Sequence, residues 1–349
     1  MKETISQKLV NRLSHLNQEQ IDSLILRAKQ LKKRSGNQND SLDSWVERAL
    51  KKEERTLQSA SNQREGIVTS VFASEIDVET DLGIERVNRG THSLAPGDVV
   101  TIGVIGDQSL VLVTQPRRTK LSRPDVDNEN KERLIVANVD VVVIVVSVVS
   151  PPLHPRLIDR YLVAIQNGGA KPIVCVNKID LLEDSEELEA LEPYRQIGIP
   201  IILCSTRNNE GIDELRSMVQ GQTVAFVGHS GVGKSSLANA FAPILNLVTG
   251  SVSEGYGRGT HTTTVSSLHR LEGNTTLIDT PGIRSFGLWS TTKDEIEQAF
   301  PEFSGLHCRF RNCTHTTEPD CGVIEAVETG QISSDRYDTF LRLREEAGM

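Results

Sequence analysis

Four clusters of residues in this chain carry chemistry by type and spacing. The first is Gly228-His229-Ser230-Gly231-Val232-Gly233-Lys234-Ser235, with Ser236 behind it. It has the phosphate-binding P-loop form, in which glycines let backbone N–H groups turn toward phosphate oxygens. The apolar run Val224–Val227 before it predicts a strand, and Lys234–Leu245 after it predicts a helix. The N-terminus of that helix favours an anion. Lys234 is expected to reach the β- and γ-phosphates, and the Ser235 hydroxyl to ligate Mg²⁺. The second cluster is Asn177-Lys178-Ile179-Asp180, after the apolar run Pro172–Val176. An Asp carboxylate accepts both the N1–H and the exocyclic amine of guanine, and adenine presents no such pair of donors. Asp180 is therefore assigned to base choice, the Lys178 stem to the ring face, and Asn177 to a tie with the P-loop. Cys204-Ser205-Thr206, after Ile201–Leu203, adds a candidate backbone contact to guanine O6. The third cluster, Asp279-Thr280-Pro281-Gly282, follows the strand candidate Thr276–Ile278. There Asp279 can hold Mg²⁺ through water, and the Gly282 N–H can meet the γ-phosphate.

The fourth cluster is Cys308-x4-Cys313-x-His315-x5-Cys321, which places three thiolates and one imidazole within 14 residues. That donor set suits a closed, four-coordinate Zn²⁺ site of structural type, one per chain. His307 is a competing imidazole, but its adjacency to Cys308 makes joint chelation awkward. The segment is polar and poor in core residues, so a metal would hold it together. Cys175 and Cys204 sit in apolar runs and read as small core hydrophobes.

Apolar strand candidates Val139–Val146, Pro172–Val176, Ile201–Leu203, Val224–Val227, Val265–Leu271 and Thr276–Ile278 alternate with helical stretches. The helical stretches are Pro155–Asn167, Ser185–Ile197, Ile212–Val219 and Lys234–Leu245. Such alternation predicts a mainly parallel sheet covered on both faces. Val265–Leu271 alternates least cleanly and is the candidate antiparallel strand. The motifs resemble the guanine-nucleotide-binding domain of translational and Ras-like GTPases, but the tetrad at 177–180 and Ser205 precede the P-loop instead of following it. A circular permutation accounts for that order.

From Gly66 to Val113 about five short β-rich runs are punctuated by Gly, Asn and Asp, which predicts a small OB-like barrel. Pro116–Asn130 reads as a polar linker. Residues 1–60 read as helix, with Leu42–Glu54 as its second piece and Leu57–Arg64 as a linker. The predicted organisation is a basic helical arm at 1–63, an OB-like barrel at 64–118, a permuted GTPase domain at 119–290 and a helical zinc-binding domain at 291–349.

The chain has 349 residues and a net charge of −9, yet residues 1–64 carry 13 basic and 8 acidic residues, net +5. A basic arm on an acidic body suggests a polyanion contact, with a merely solvated arm as the alternative. The longest apolar run, Val139–Val149, is broken by Asp140 and Ser147 and is too short to span a bilayer, which needs about 20 apolar residues. No charged N-terminal segment leads into an apolar core. A cytoplasmic protein with no membrane partner is expected.

A barrel, a permuted GTPase and a Cys₃His module in this order resemble the RsgA family of ribosome small-subunit-dependent GTPases over roughly residues 65–330. Supporting runs are Gly257-Arg258-Gly259-Thr260-His261-Thr262-Thr263-Thr264 and Asp279-Thr280-Pro281-Gly282-Ile283-Arg284, with Ser285-Phe286-Gly287-Leu288-Trp289 after them. The resemblance implies a monomer that binds the 30S subunit and its 16S rRNA, hydrolyses GTP to GDP and phosphate under ribosomal stimulation, and acts late in small-subunit maturation. Ile283 occupies the position where Ras-like enzymes place a water-orienting Gln, so intrinsic hydrolysis is expected to be slow. The resemblance implies His261 as a substitute, with an RNA or solvent contact as its other reading. Thr263 is the candidate switch hydroxyl for Mg²⁺, with Thr262 as its rival and Thr264 alongside. The catalytic set is thus His261, Lys234 and Thr263. An RNA-binding assembly module whose nucleotide site is only a regulatory latch is the alternative function. A small-substrate kinase or ATPase is disfavoured by the Asn-Lys-x-Asp tetrad.

Overall fold

The structure, a computed structural model, describes residues 5–14, 16, 18–35, 40–125, 132–243, 266–279 and 291–347. The chain forms two compact units, Met1–Arg117 and Arg118–Met349.

In the first unit, helices α1 (Gln7–Arg12), α2 (Gln18–Ser35) and α3 (Leu42–Ser59) enclose an apolar core of Leu9, Leu13, Leu24, Ala28, Trp45 and Val46. Ser6 and Ser41 cap α1 and α3 by accepting from the N–H of Leu9 and Ser44. Three arginines of this arm are engaged within it: Arg12 pairs with Glu47, Arg27 with Glu53 and Arg48 with Asp40. Strands β1 (Ser61–Val71), β2 (Glu75–Thr80), β3 (Gly83–Asn88), β4 (Val99–Ile105) and β5 (Gln108–Thr114) follow. They close in the order β1-β2-β3-β5-β4-β1, the five-stranded barrel anticipated from the sequence. Alternate residues fill it, among them Val68, Ile76, Val78, Val87, Val100 and Ile102. Residues 57–64 are not the linker their polarity suggested. Helix α3 runs to Ser59, and Ser61 and Arg64 already pair with Val104 and Ile102 of β4. Ladder hydrogen bonds and the Arg64–Glu85 ion pair outweigh the polar composition there.

The second unit opens with an antiparallel hairpin, β6 (Lys120–Pro124) and β7 (Glu132–Ala137), whose first strand lies in the stretch Pro116–Asn130 expected to be a linker. The signal of β6 is weak because Leu121, opposite Val136, is its one fully buried residue. The main sheet has the order β10-β9-β8-β11-β13-β12. Its strands are β8 (Val141–Val146), β9 (Lys171–Val176), β10 (Ile201–Leu203), β11 (Thr223–Val227), β12 (Ser267–Arg270) and β13 (Thr276–Asp279). All neighbours are parallel except β12 and β13, which run antiparallel as anticipated. Every residue of β8 is buried because both faces are covered. Val142, Ile144 and Val146 meet Ile158, Tyr161 and Leu162 of α4 (Pro155–Asn167) and Tyr194 of α5 (Glu192–Gln196). Val141, Val143 and Val145 meet Ile212 and Leu215 of α6 (Ile212–Met218) and Leu237 and Phe241 of α7 (Lys234–Phe241).

Two predicted helices are shorter than expected. Ser185–Ile197 divides into a 3-10 segment, Ser185–Leu191, and α5, because Pro193 is tolerated only in a first helical turn. Helix α7 ends at Phe241, two residues before Pro243. Beyond the sheet, α8 (Lys293–Gln298), α9 (Gly322–Glu328) and α10 (Ser334–Ala347) surround Phe300, Phe303, Val323, Phe340 and Leu343. Val163 of α4 belongs to the same cluster, so this helical module rests on the outer side of α4. Arg336, 2% exposed, reinforces the contact by donating to Asp159 of α4 at 2.6 Å and to Glu302 at 3.1 Å. Among the described residues no helix is long and apolar enough to cross a membrane.

Candidate functional site

The carboxyl ends of β9, β10, β11 and β13 lie along one edge of the parallel sheet, where open α/β sheets bind ligands. Strand β11 feeds the P-loop, and α7 starts at its Lys234. Gly228, Gly231 and Gly233 take φ of 147°, 85° and 89°, values that L-residues with a Cβ rarely adopt. A Cβ on Gly228 would lie 2.2 Å from the Val145 carbonyl oxygen, and one on Gly233 would lie 2.4 Å from Asn177 Nδ2. The loop's curvature and its approach to the second motif therefore both depend on glycine. Lys234 Nζ donates to the carbonyls of Gly228 and His229 at 2.7 Å each, so the ammonium sits over the loop. His229 and Ser230 are exposed, with His229 Nδ1 at 3.0 Å from the Ser230 carbonyl, while Val232 is buried. In the first turn of α7 Ser235 is exposed and Ser236 half-buried.

Asn177 is 1% exposed and joins three loops. Its Nδ2 donates to the Val232 carbonyl at 2.9 Å, and its Oδ1 accepts from the Thr206 N–H at 3.3 Å. The tie to the P-loop was expected; the tie to Thr206 was not. Lys178, in the left-handed region at φ 66°, donates through Nζ to the carbonyls of Ser150 and Gly231 at 2.6 Å each. Its charge is thereby fixed between the β8–α4 connection and the P-loop. The Ile179 N–H donates to the Cys204 carbonyl at 3.2 Å, which sets the tetrad against the next loop.

Ser205 does more than lend its backbone. Fully buried, its hydroxyl donates to Asp180 Oδ1 at 2.6 Å and accepts from the Asn208 N–H at 3.1 Å. A serine that fixes the Asp180 carboxylate was missed from sequence. The signal available was only the Cys-Ser-Thr run after a strand, which says nothing of where a hydroxyl 25 positions along the chain points. Asp180 Oδ2 faces the exposed Arg207 at 4.0 Å, a weak contact. Cys175 and Cys204 lie buried behind these loops. The Cys175 thiol is raised by its hydrogen bond with Cys204 and then by burial, which keeps it inert.

Asp279 ends β13, whose Ile278 pairs with Ala225 of the P-loop strand. Asp279 and Ser235 supply the hard oxygen donors that Mg²⁺ prefers. Gly282, His261, Thr263 with its neighbours Thr262 and Thr264, and Ile283 lie outside the described residues.

The second site belongs to the C-terminal module. One donor atom each of Cys308, Cys313, His315 and Cys321 lies within 4.8 Å of all the others. His315 Nδ1 is 3.5 Å from Cys308 Sγ and 3.4 Å from Cys321 Sγ, and those two sulfurs are 3.9 Å apart. Four ligands at about 2.3 Å around a tetrahedral Zn²⁺ have edges of roughly 3.8 Å, so the donor set fits the ion. His307 stands outside the cluster. His315 Nε2 faces Glu297 Oε1 at 3.5 Å, the carboxylate partner that orients a metal-bound imidazole. Tyr337 donates to the His315 carbonyl at 2.7 Å. Glu318 accepts from the Thr314 hydroxyl at 2.6 Å and from the N–H groups of Thr314, Thr316 and Thr317 at 2.8, 3.0 and 3.2 Å. These bonds, led by the Thr314 hydroxyl, hold its carboxyl far below the usual range and shape the loop between Cys313 and Cys321. Neither glutamate stands out in the sequence, since isolated acidic residues are common on any surface.

Comparison with known proteins converges on one family. A family model described as RsgA GTPase matches residues 114–289. The small ribosomal subunit biogenesis GTPase RsgA 1 of Vibrio vulnificus is 41% identical over 317 residues, covering 86% of this chain and 89% of that protein. The corresponding GTPase RsgA of Pseudomonas putida is 38% identical over 312 residues, covering 84% and 90%. Among solved structures, YjeQ from Thermotoga maritima superposes with a TM-score of 0.63 at 29% identity, over 82% of this chain and 98% of that one. YloQ, described as a circularly permuted GTPase, gives 0.62 at 27% identity, over 83% and 96%.

Proposed function

Since this chain belongs to the RsgA GTPase family and is a GTP hydrolase, we propose that it turns over GTP on the 30S ribosomal subunit late in that subunit's maturation. In this reading the protein is a cytoplasmic monomer that contacts 16S rRNA. Relatives named for small-subunit biogenesis support the partner. The observation that carries the nucleotide reading is the Asn177 side chain, which locks the tetrad to both Val232 and Thr206. A guanine loop fixed before ligand arrives loses little freedom on binding.

The proposed roles rest on the motifs and, for the described residues, on their placement. Asp180, aimed by Ser205, reads N1–H and the exocyclic amine. Lys178 and Ile179 frame the base. The N–H groups along Gly228–Lys234 wrap the phosphates, and Lys234 exchanges its loop carbonyls for phosphate oxygens. Ser235, Asp279 and the Thr263 hydroxyl hold Mg²⁺, with Ser236 next in the same turn. Mg²⁺ held by these oxygens would neutralise charge on the phosphates. Gly282 senses the γ-phosphate, and His261 orients the attacking water in place of the residue that Ile283 cannot be. Cys308, Cys313, His315 and Cys321 hold one Zn²⁺ as a cross-link for a module with a small core. In this proposal the chain has four parts, with boundaries near 63, 118 and 290, and the barrel and the zinc module, which precede and follow the GTPase domain in sequence, contact RNA.

The test is single-protein turnover of GTP and ATP, alone and with purified 30S or 50S subunits. Slow, GTP-selective hydrolysis that rises strongly with 30S and little with 50S is expected. Binding of GTP and subunits without stimulated turnover would favour the regulatory latch instead.

A further inference from the structure

The zinc module hides three of its phenylalanines, Phe300, Phe303 and Phe340, and leaves Phe310 42% exposed. Phe310 sits at the tip of the short loop between Cys308 and Cys313, in the run Arg309-Phe310-Arg311-Asn312, all of it exposed. Both ends of that loop are fixed. Cys308 bridges Cys321 across the donor cluster, the Arg309 N–H donates to the Asp320 carbonyl at 3.1 Å, and the Cys313 N–H donates to the Phe310 carbonyl at 3.2 Å. The ring is therefore presented on a braced turn.

Its surroundings define what it can meet. The Arg309 guanidinium lies 5.6 Å from the Phe310 ring centre and is held there by Asp320 at 3.0 Å. Arg311 makes no ion pair among the described residues. One exposed aromatic face, one guanidinium against the ring and one available cation match a base and its phosphate in a single nucleic-acid strand. An acidic peptide would use the cations and leave the ring without a role. A membrane surface would call for a larger apolar patch than one ring.

We propose that Arg309, Phe310 and Arg311 form a stacking platform for an unpaired RNA base, with Arg311 reaching the adjacent phosphate. This rests on the reading of the chain as a ribosome-bound GTPase and names one surface through which it would meet RNA. The base covers the ring face that Arg309 leaves open, and bracing by the metal loop keeps the ring in place before binding.

The test uses the full-length, zinc-loaded protein and a fluorescein-labelled, unstructured RNA of mixed A and U, read by anisotropy. Phe310→Ala is expected to weaken binding roughly tenfold, the effect of losing one base stack. Phe310→Trp should bind like the parent. Arg311→Ala should lower the salt dependence by about one phosphate contact. An RNA with abasic positions should bind the parent more weakly and should make no difference to Phe310→Ala. Zinc content and basal GTP turnover should match the parent in every variant. A variant that loses zinc is replaced by the abasic comparison on the parent alone. Parent-like RNA binding by Phe310→Ala, equal weakening by Ala and Trp with zinc retained, or no RNA binding by the parent would overturn the proposal. Stimulation of turnover by 30S subunits is scored separately, so the platform can fail while the ribosomal reading stands.

Discussion

Asp180 shows how little of a side chain's function lies in the side chain alone. Its Oδ1 accepts from the buried Ser205 hydroxyl at 2.6 Å, which fixes the carboxylate before any base arrives. Asp180→Asn keeps that geometry but replaces one acceptor with an amide donor. We expect GTP to bind roughly a hundredfold more weakly, the scale of a charge-assisted pair lost with its partner left unsatisfied. Xanthosine triphosphate, which offers a carbonyl where guanine has its amine, should gain. Competition of the two nucleotides against a fluorescent GDP decides the matter, and unchanged GTP preference would refute the assignment. The clustering of Cys308, Cys313, His315 and Cys321 was legible in the sequence because chemistry restricts the residue types and local spacing fixes their relation. Ser205 as an orienting group and Asn177 as a tie to Thr206 were not legible. Both contacts join loops from different strands and exist only once the sheet has set its order.

Elements were legible in proportion to their burial. Helix α4 at Pro155–Asn167 and strand β10 at Ile201–Leu203 match expectation end to end, because a periodic apolar face bounded by Pro, Gly or Asn leaves few alternatives. Strand β6 escaped because Leu121 is its one fully buried side chain, although Leu121, Ile135 and Val136 of the hairpin join the main core. Helix α5 was drawn too long because Pro193 was read as an interior residue instead of a first-turn one. The barrel offers a test of burial itself. His92 is 9% exposed, hydrogen-bonded through Nδ1 to Thr114 at 2.9 Å. It lines a cavity of about 160 Å³ with Arg27, Lys52 and Glu53. Burial, aided by the Arg27 charge, lowers its pKa to about 4. The unfolded chain regains a pKa near 6.5. Above pH 6.5 both states are neutral and His92 is silent. Below it the unfolded state takes a proton that the folded state refuses, so stability falls until about pH 4. At pH 5 the loss is about 2 kcal/mol. His92→Gln should flatten that part of the stability–pH curve, measured by urea unfolding at pH 7 and pH 5. An unchanged slope between those two values would show that His92 is protonated in the folded barrel.

At the scale of the molecule, the attachment of the zinc module to α4 turns on Arg336. Its guanidinium lies 4.7 Å from the Phe300 ring centre and 5.2 Å from that of Tyr194, between the carboxylates of Asp159 and Glu302. Tyr194 in turn donates to the Pro155 carbonyl at the start of α4 at 2.8 Å. One side chain of α10 thus gathers α4, α5 and the turn at Glu302. Burial raises Asp159 to about 6 against the pull of Arg336. With the cation gone the largest opposition to that rise is lost, and only hydrogen bonds from Tyr194 and Thr339 still pull the other way. Arg336→Met is therefore expected to destabilise by about 3–5 kcal/mol near neutral pH, because the buried Asp159 and the half-buried Glu302 lose their partner. The cost should shrink as pH falls from 8 to 5, since protonated Asp159 can be buried at less expense. Adding Asp159→Asn should recover part of the loss at neutral pH and remove most of its pH dependence, a coupling that a double-mutant cycle measures. Arg336 touches none of the loops at 177–180, 205 or 228–235, so GDP affinity should hold within about threefold while folded. If 30S subunits stimulate turnover as proposed, that stimulation should fall much further, because the zinc module would no longer be fixed on α4. Equal pH dependence in Arg336→Met and the double variant would mean that Asp159 does not carry the penalty. A parallel fall in GDP affinity would mean that α4 passes the disturbance to the guanine loops through Ser150, whose carbonyl holds Lys178.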